Sequence, residues 1–254
     1  PISIIFSRHS KHDHIDQTNL EASRRLHRRY LLWGGIICGI ILFAGSAFQQ
    51  FGLLYTSVGK AGFISALYIV IVPIIGLFLK KKCGINVWIS IIIAVIGLYL
   101  LSMNGSFSLS KGDSLILVCS ILFAFHIVVI DYVSPKVNGV LLSCIQFWIC
   151  ALLSGIAMFI IETPSWGSIV KASGAILYAG IFSSGVAFTC HIIGQKHVKP
   201  AIAALIMSLE AVVSVLSGWI LLHQTLTSRE LIGCLIMFFA IIFAQLQFPS
   251  KKKI

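Results

Sequence analysis

The chain has 254 residues, 58% of them hydrophobic and only 11% charged, with a mean hydropathy of +0.99. Soluble domains carry about 25% charged residues, so the polar surface here is too small to cover a water-soluble globule. That argues at once against a soluble enzyme, a disordered chain and a nucleic-acid binder. The formal charge of +11 does not restore the last of these, because the basic residues sit at the ends of apolar runs and form no continuous face.

In chain order, Pro1–Phe6 is apolar but too short to cross a membrane, and it lacks a basic leader region and a cleavage site. It reads as the tail of a longer segment. Ser7–Arg29 is polar and basic and reads as a loop. Within it His9, His12 and His14 stand beside Asp13 and Asp16, but their spacing matches no closed ligand set, so no metal is assigned. Thr18 and Glu21 have capping-box spacing, which predicts a short basic helix over the following LEASRRLHRR, resting on the membrane surface.

Eight stretches then reach the length of about 20 apolar residues that a bilayer-spanning helix needs. They are A (Leu31–Tyr55), B (Ala61–Leu79), C (Ile85–Met103), D (Ser114–Tyr132), E (Asn138–Ile161), F (Ala172–Ile193), G (Ala201–Leu222) and H (Glu230–Phe248). Runs such as WISIIIAVIGLYLL are continuously apolar and do not alternate, which excludes the strands of a membrane β-barrel.

No Lys or Arg falls inside a span. One set of alternate loops holds Arg8, Lys11, Arg24, Arg25, Arg28, Arg29, Lys80–Lys82, Lys136, Lys196, Lys199 and Lys251–Lys253; the other holds Lys60, Lys111, Lys171 and Arg229. A split of 15 to 4 places the first set, and with it the C-terminus, in the cytoplasm of a cell whose inner membrane the chain crosses. Of seven cysteines, six lie in apolar runs and none forms a CxxC pair, so they read as small buried hydrophobes.

The chain also repeats itself. AFQQFGLLYTSVGKAGFISALY, at the exit of A, matches AFTCHIIGQKHVKPAIAALIMSLE in F and G: Ala47-Phe48 pairs with Ala187-Phe188, Ala61-Gly62 with Ala203-Ala204, and Gly76 with Gly218. Spans A, B, C thus correspond to F, G, H, five helices later. Five is odd, so the copies cross in opposite directions as an inverted-topology repeat. The second copy has D and E ahead of F. The expectation is therefore a ten-span protein from which this chain lacks the first span and most of the second. Residues 1–108 would be the remainder of the first repeat and 109–254 the second.

LLYTSVGKAGFISALYIVIVPIIG, a basic turn and a glycine-bearing last helix, together with AALIMSLEAVVSVLSGWILLHQTLTSRELIGCLIM, resemble the EamA-type branch of the drug/metabolite transporter superfamily from Leu31 to Gln247. The resemblance implies two inverted five-helix halves around a central cavity that opens alternately to each side. It also implies ATP-independent movement of amino acids, other metabolites or drug-like compounds. Members often carry Glu-Pro near the start of the ninth helix. Here Glu210 is present and Ala211 stands where the proline would be, so the residue that would impose a break is missing.

Glu210 is the only acid well inside a span, where a carboxylate costs about 2.5–3.5 kcal/mol and should face a cavity or a partner. Met207, Glu210, Ser214 and Ser217 fall on one helical stripe. Glu210 reads either as a proton- or cation-binding group or as a structural carboxyl. His126 in D and His191 in F read as proton relays or as helix–helix hydrogen bonds. Gln49, Gln50 and Gln146 have amides that can meet a polar substrate. Tyr68, Trp148 and Tyr178 line a cavity or face lipid. Asp131 reads as a solvated helix end, and Gly35/Gly39 and Ser214/Gly218 as close-packing pairs.

No nucleophile elbow, phosphate loop or HExxH is present, and no lysine lies in a span to carry retinal. The composite expectation is an all-helical membrane protein that is not an enzyme and needs no cofactor. It would be a permease or efflux-type secondary transporter with a midplane site between A, B, F and G. Its partners would be a small-molecule substrate, the lipid bilayer and protons, with a homodimer among the open oligomeric states. An uncoupled facilitator and a non-transporting scaffold are the alternatives.

Overall fold

A computed structural model describes the backbone of residues 2–81, 83–102, 110–161, 165–223 and 227–246. Side chains are described from residue 25 onward, apart from residues 58, 218, 221 and 222. Among the described residues there is no strand. The helices are α1 (Ile2–Leu53), α2 (Val58–Ser65), α3 (Tyr68–Phe78), α4 (Ile85–Ser102), α5 (Lys111–Val133), α6 (Gly139–Ile161), α7 (Trp166–Lys171), α8 (Ser173–Tyr178), α9 (Phe188–Gln195), α10 (Pro200–Met207), α11 (Leu209–Leu222) and α12 (Ser228–Gln245). A 3₁₀ turn covers Ser134–Lys136, and a π-helical stretch, Ala179–Ala187, joins α8 to α9. Eight segments are long and apolar enough to cross a membrane, one for each expected span, from Arg25–Leu53 to Ser228–Gln245. This is a multi-pass membrane protein.

The first helix departs from expectation. α1 runs unbroken through the polar segment, so Thr18 does not start a separate helix and Ser7–Arg29 is not a loop. The physical reason is that no Gly or Pro occurs between Ile2 and Trp33, leaving nothing to break the i→i−4 ladder. The His9/His12/His14 group lies among residues whose side chains are outside the description.

Spans B and G are each split in two. B breaks at Ala66–Leu67, between α2 and α3, and G breaks at Ser208, between α10 and α11. Ala66 and Ser208 are 142 residues apart (208 − 66), the same offset that aligns Ala61 with Ala203, so the interruption is part of the repeat. The copies also end alike. Lys80 after α3 (φ 58°) and His223 after α11 (φ 51°) both take the left-handed conformation that stops a helix. The G break forms without a proline, and there the Ser208 hydroxyl donates to the Leu205 carbonyl at 2.7 Å. The stripe expected from Met207 to Ser217 is consequently divided, with Met207 on α10 and the rest on α11.

α1 packs against α5 and α6, α3 against α5 and α10, and α4 lies along α12. Small residues allow these approaches. A Cβ at Gly39 would fall 2.7 Å from the Gln146 carbonyl, and one at Gly233 would fall 2.8 Å from that of Gly97. The larger apolar core joins α2–α5 to α10–α12 around Ile69, Leu98, Ile116, Leu205 and Met237. A smaller one gathers Cys38, Ile130, Val133, Leu142 and Ile192.

Candidate functional site

Helix α5 runs parallel to span B, and two Lys–Asp pairs join them, one at each end. At one end Asp113 caps its own helix by accepting from the Ser110 amide at 2.7 Å. It also accepts from the Thr56 hydroxyl at 2.6 Å and the Lys60 ammonium at 2.5 Å, its side chain fully shielded from solvent. At the other, lysine-rich end, Lys81 pairs with Asp131. Asp131 is thus an ion-pair partner rather than the solvated helix end its position suggests. Lys136, in the turn after α5, stands 3.1 Å from the Tyr132 ring centroid and 4.5 Å from that of Tyr30.

Between these ends, at mid-span, lies a cavity of about 960 Å³ bounded by α1, α5, α6, the π-helical stretch, α9 and α11. Its polar wall is Ser46, Gln49, Ser143, Ser184, Thr189 and Glu210, and its aromatic wall is Phe123, Phe147, Trp148 and Phe188. Ser143 and Thr189 share a 2.8 Å hydrogen bond that ties α6 to α9. Phe147 and Phe188 meet edge to face at 5.6 Å. The π-helical stretch brings Gly180, Ser184 and Gly185 to the cavity. A widened turn is a frequent mark of a functional site, because it turns backbone polarity and small side chains toward a ligand.

The sequence-derived candidates divide here. Glu210, on the first turn of α11, is open to the cavity, and Gln49 reaches it from α1. Tyr68 occupies the position in B that Glu210 occupies in G, 142 residues on (210 − 68). Its hydroxyl is buried without a hydrogen-bond partner among the described residues. Gln50 and Ser214 are exposed and do not line this cavity.

His126 and Gln146 are buried and bonded to each other at 3.2 Å across α5 and α6. His191 packs edge-on against Phe188 (6.3 Å), as His126 does (6.5 Å), and Phe188 lines the cavity while neither imidazole does. Trp148 lines the cavity, whereas Tyr178 is exposed against Phe182. Cys144 and Cys150, expected to be buried hydrophobes, are lining residues, and Cys190 is exposed. Gly218 lies outside the described side chains. Span B contributes nothing to this lining, while D and E do, so the expected enclosure by A, B, F and G gives way to A, D, E, F and G. Ser46, Ser143, Ser184 and Thr189 were not singled out from sequence. Their signal was only that of small polar residues scattered in apolar runs.

The sequence profile of the EamA-like transporter family matches residues 3–103 and 110–245. The chain belongs to that family. It is 31% identical over 215 residues to an uncharacterized transporter of Archaeoglobus fulgidus, covering 84% of this chain and 68% of that protein. It is 28% identical over 201 residues to the uncharacterized inner membrane transporter YedA of Escherichia coli K12, covering 74% of this chain and 64% of YedA. A solved crystal structure shares the fold with a TM-score of 0.71 at 16% identity, over 85% of this chain and 86% of that one. Both sequence relatives are named as transporters. The fold is the two-repeat helical architecture of the family.

Proposed function

We propose that the protein is a secondary transporter that carries a small polar or amphipathic solute through the Glu210 cavity by alternating access, with Glu210 exchanging a proton for the solute. The observation that carries this reading is a single carboxylate opening into an otherwise uncharged mid-span cavity. An acid at that depth costs free energy to insert, so its place on the cavity wall is best explained by use. The paired breaks in B and G support the same location, since interrupted helices at matching places in two inverted repeats mark transporter sites.

In this reading the halves 1–108 and 109–254 rock against each other. The lysine-rich end, with Lys81, Lys136, Lys196 and Lys199, faces the cytoplasm of a cell bounded by this inner membrane, as the positive-inside rule requires, and the C-terminus lies there too. The direction of movement is outward, as in efflux. His126 and His191, both in contact with the lining residue Phe188, are the groups assigned to pass a proton onward.

The test is proton flux into proteoliposomes holding a pH dye, with pooled metabolites added outside. One pool is expected to drive flux, and Glu210→Gln is expected to lower that flux by on the order of tenfold or more. Solute uptake without proton flux would make the protein a facilitator and Glu210 a structural acid.

A further inference from the structure

A second concavity, of about 820 Å³, lies at the lysine-rich end where α1, the end of span B and α5 meet. It shares no lining residue with the Glu210 cavity. Its chemistry is graded along α1: Arg29 at the mouth, then Tyr30 and Trp33, then Gly34 and Ile37 at the apolar end. At 1.5 Å per residue, the distance from Arg29 to Ile37 is about 12 Å. The other two walls carry the same order. On α5 Tyr132 lies nearest the lysine-rich end and Val129 and Val128 lie deeper, and span B adds Lys81 at the mouth and Leu79 below it.

Gly34 sets the floor, since a Cβ there would fall 2.6 Å from Val133 Cγ1. Above that contact the apolar walls are open, with Trp33 61% and Leu79 52% exposed. No acidic residue lines the groove. Lys81 pairs with Asp131, which lines a neighbouring cavity instead, and Lys136 stands over the rings of Tyr30 and Tyr132. Three cations against one carboxylate leave the mouth positive.

A small soluble anion would answer the mouth and leave the apolar length wet. A neutral hydrocarbon would fill the length and leave the charge unanswered. A zwitterionic headgroup would bring a second cation beside Lys136. A ligand with a net negative phosphate and a hydrocarbon chain matches both parts at once.

We infer that this groove binds an anionic glycerophospholipid, its phosphate at Arg29 and Lys81 and one acyl chain along Ile37, Leu79, Val128 and Val129. A lipid so placed touches three elements and braces the lysine-rich end. In the proposed orientation it belongs to the cytoplasmic leaflet. The inference does not depend on what the Glu210 cavity carries.

Trp33 supplies the readout. Phosphatidylglycerol and phosphatidylcholine with identical brominated acyl chains quench tryptophan on contact, so they compare headgroups at constant chain. Each is titrated into the purified full-length protein in neutral detergent, and Trp33→Phe identifies the quenching that comes from the groove. Phosphatidylglycerol is expected to quench Trp33 saturably and to bind at least about fivefold more tightly than phosphatidylcholine. Arg29→Gln, at an exposed position, should reduce phosphatidylglycerol to the level of phosphatidylcholine.

Leu26→Glu keeps the claim testable if Arg29→Gln does not fold. Leu26 is exposed and one turn from Arg29, so a carboxylate there would answer the mouth and should abolish the same preference. Equal quenching by the two lipids, or a preference indifferent to both variants, would overturn the inference. Displacement of phosphatidylglycerol by glycerol 3-phosphate at constant ionic strength would overturn it in favour of a soluble phosphate ester. Absence of Trp33 quenching by either lipid would overturn it by giving the groove to protein.

Discussion

Spans B and G are copies of one element put to different uses. Both break at the same repeat position, both resume in a helix whose first turns carry Tyr68 or Glu210, and both end on a left-handed residue. Yet 56% of the B window is buried against 33% of the G window. Among the described residues B alone is held at each end by an aspartate of α5. G has no such ion pair among the described residues, and it presents its acid to the cavity. An interrupted helix is therefore not in itself a moving part. B, tied at both ends and buried in its middle, has the place of a post; G, whose acid reaches the cavity wall two residues past its buried break, has that of an arm.

The sharpest way to break this comparison is to exchange the roles of the two mid-span residues. Glu210→Gln should cost transport on the order of tenfold or more. Tyr68→Phe, which removes a buried hydroxyl that has no partner, should leave transport near its starting level and melting unchanged or slightly raised, because an unsatisfied buried polar group is a liability. Equal losses in solute flux from the two variants would dissolve the distinction between post and arm.

Next in size is Asp113→Asn, which removes the carboxylate that pairs with the Lys60 ammonium and weakens the Thr56 contact. Breaking a shielded pair from one side costs about 3–5 kcal/mol, which should appear as a clear fall in melting temperature in detergent. Lys81→Ala removes the other tie, whose lysine is 44% exposed; exposed pairs contribute about 0–1 kcal/mol, so its shift should be small and should shrink further in high salt. A Lys81 effect as large as that of Asp113 would mean that the two ends of B are braced equally.

Smallest of all is Ala211→Pro. Residue 211 lies in the first turn of α11, where proline is tolerated. It would forfeit one bond, from the Ala211 amide to the Ser208 carbonyl at 3.2 Å. Melting and transport should move little, in keeping with a break that already exists. A large loss would show that the alanine holds G in a shape proline cannot take.

Much of this architecture is legible in the chain itself, for identifiable reasons. The spans announce themselves because every residue facing lipid or core must be apolar, and the observed segments match them closely, as with Ile85–Ser102 for C. The inverted repeat is legible through Ala47-Phe48 and Ala187-Phe188. The breaks at Ala66 and Ser208 are not, because they fall within continuous apolar sequence and arise from how α3 and α10 pack.

The Lys60–Asp113 and Lys81–Asp131 pairs join residues 53 and 50 positions apart in pairs that only the packing of B on α5 creates. Glu210 stood out because a lone acid in an apolar run has no cheap explanation. Ser184 and Thr189 did not, since a hydroxyl can satisfy itself within its own helix and therefore says little about where it points.

The lysine held between Tyr30 and Tyr132 has a practical consequence for mapping the protein. An amine engaged with two ring faces is slow to react with acylating reagents, so Lys136 should be under-labelled although its loop lies at a membrane surface. A sidedness map built on amine labelling would record that loop as inaccessible. A cysteine placed at Asn138, an exposed position two residues further on, would report the same loop without that masking.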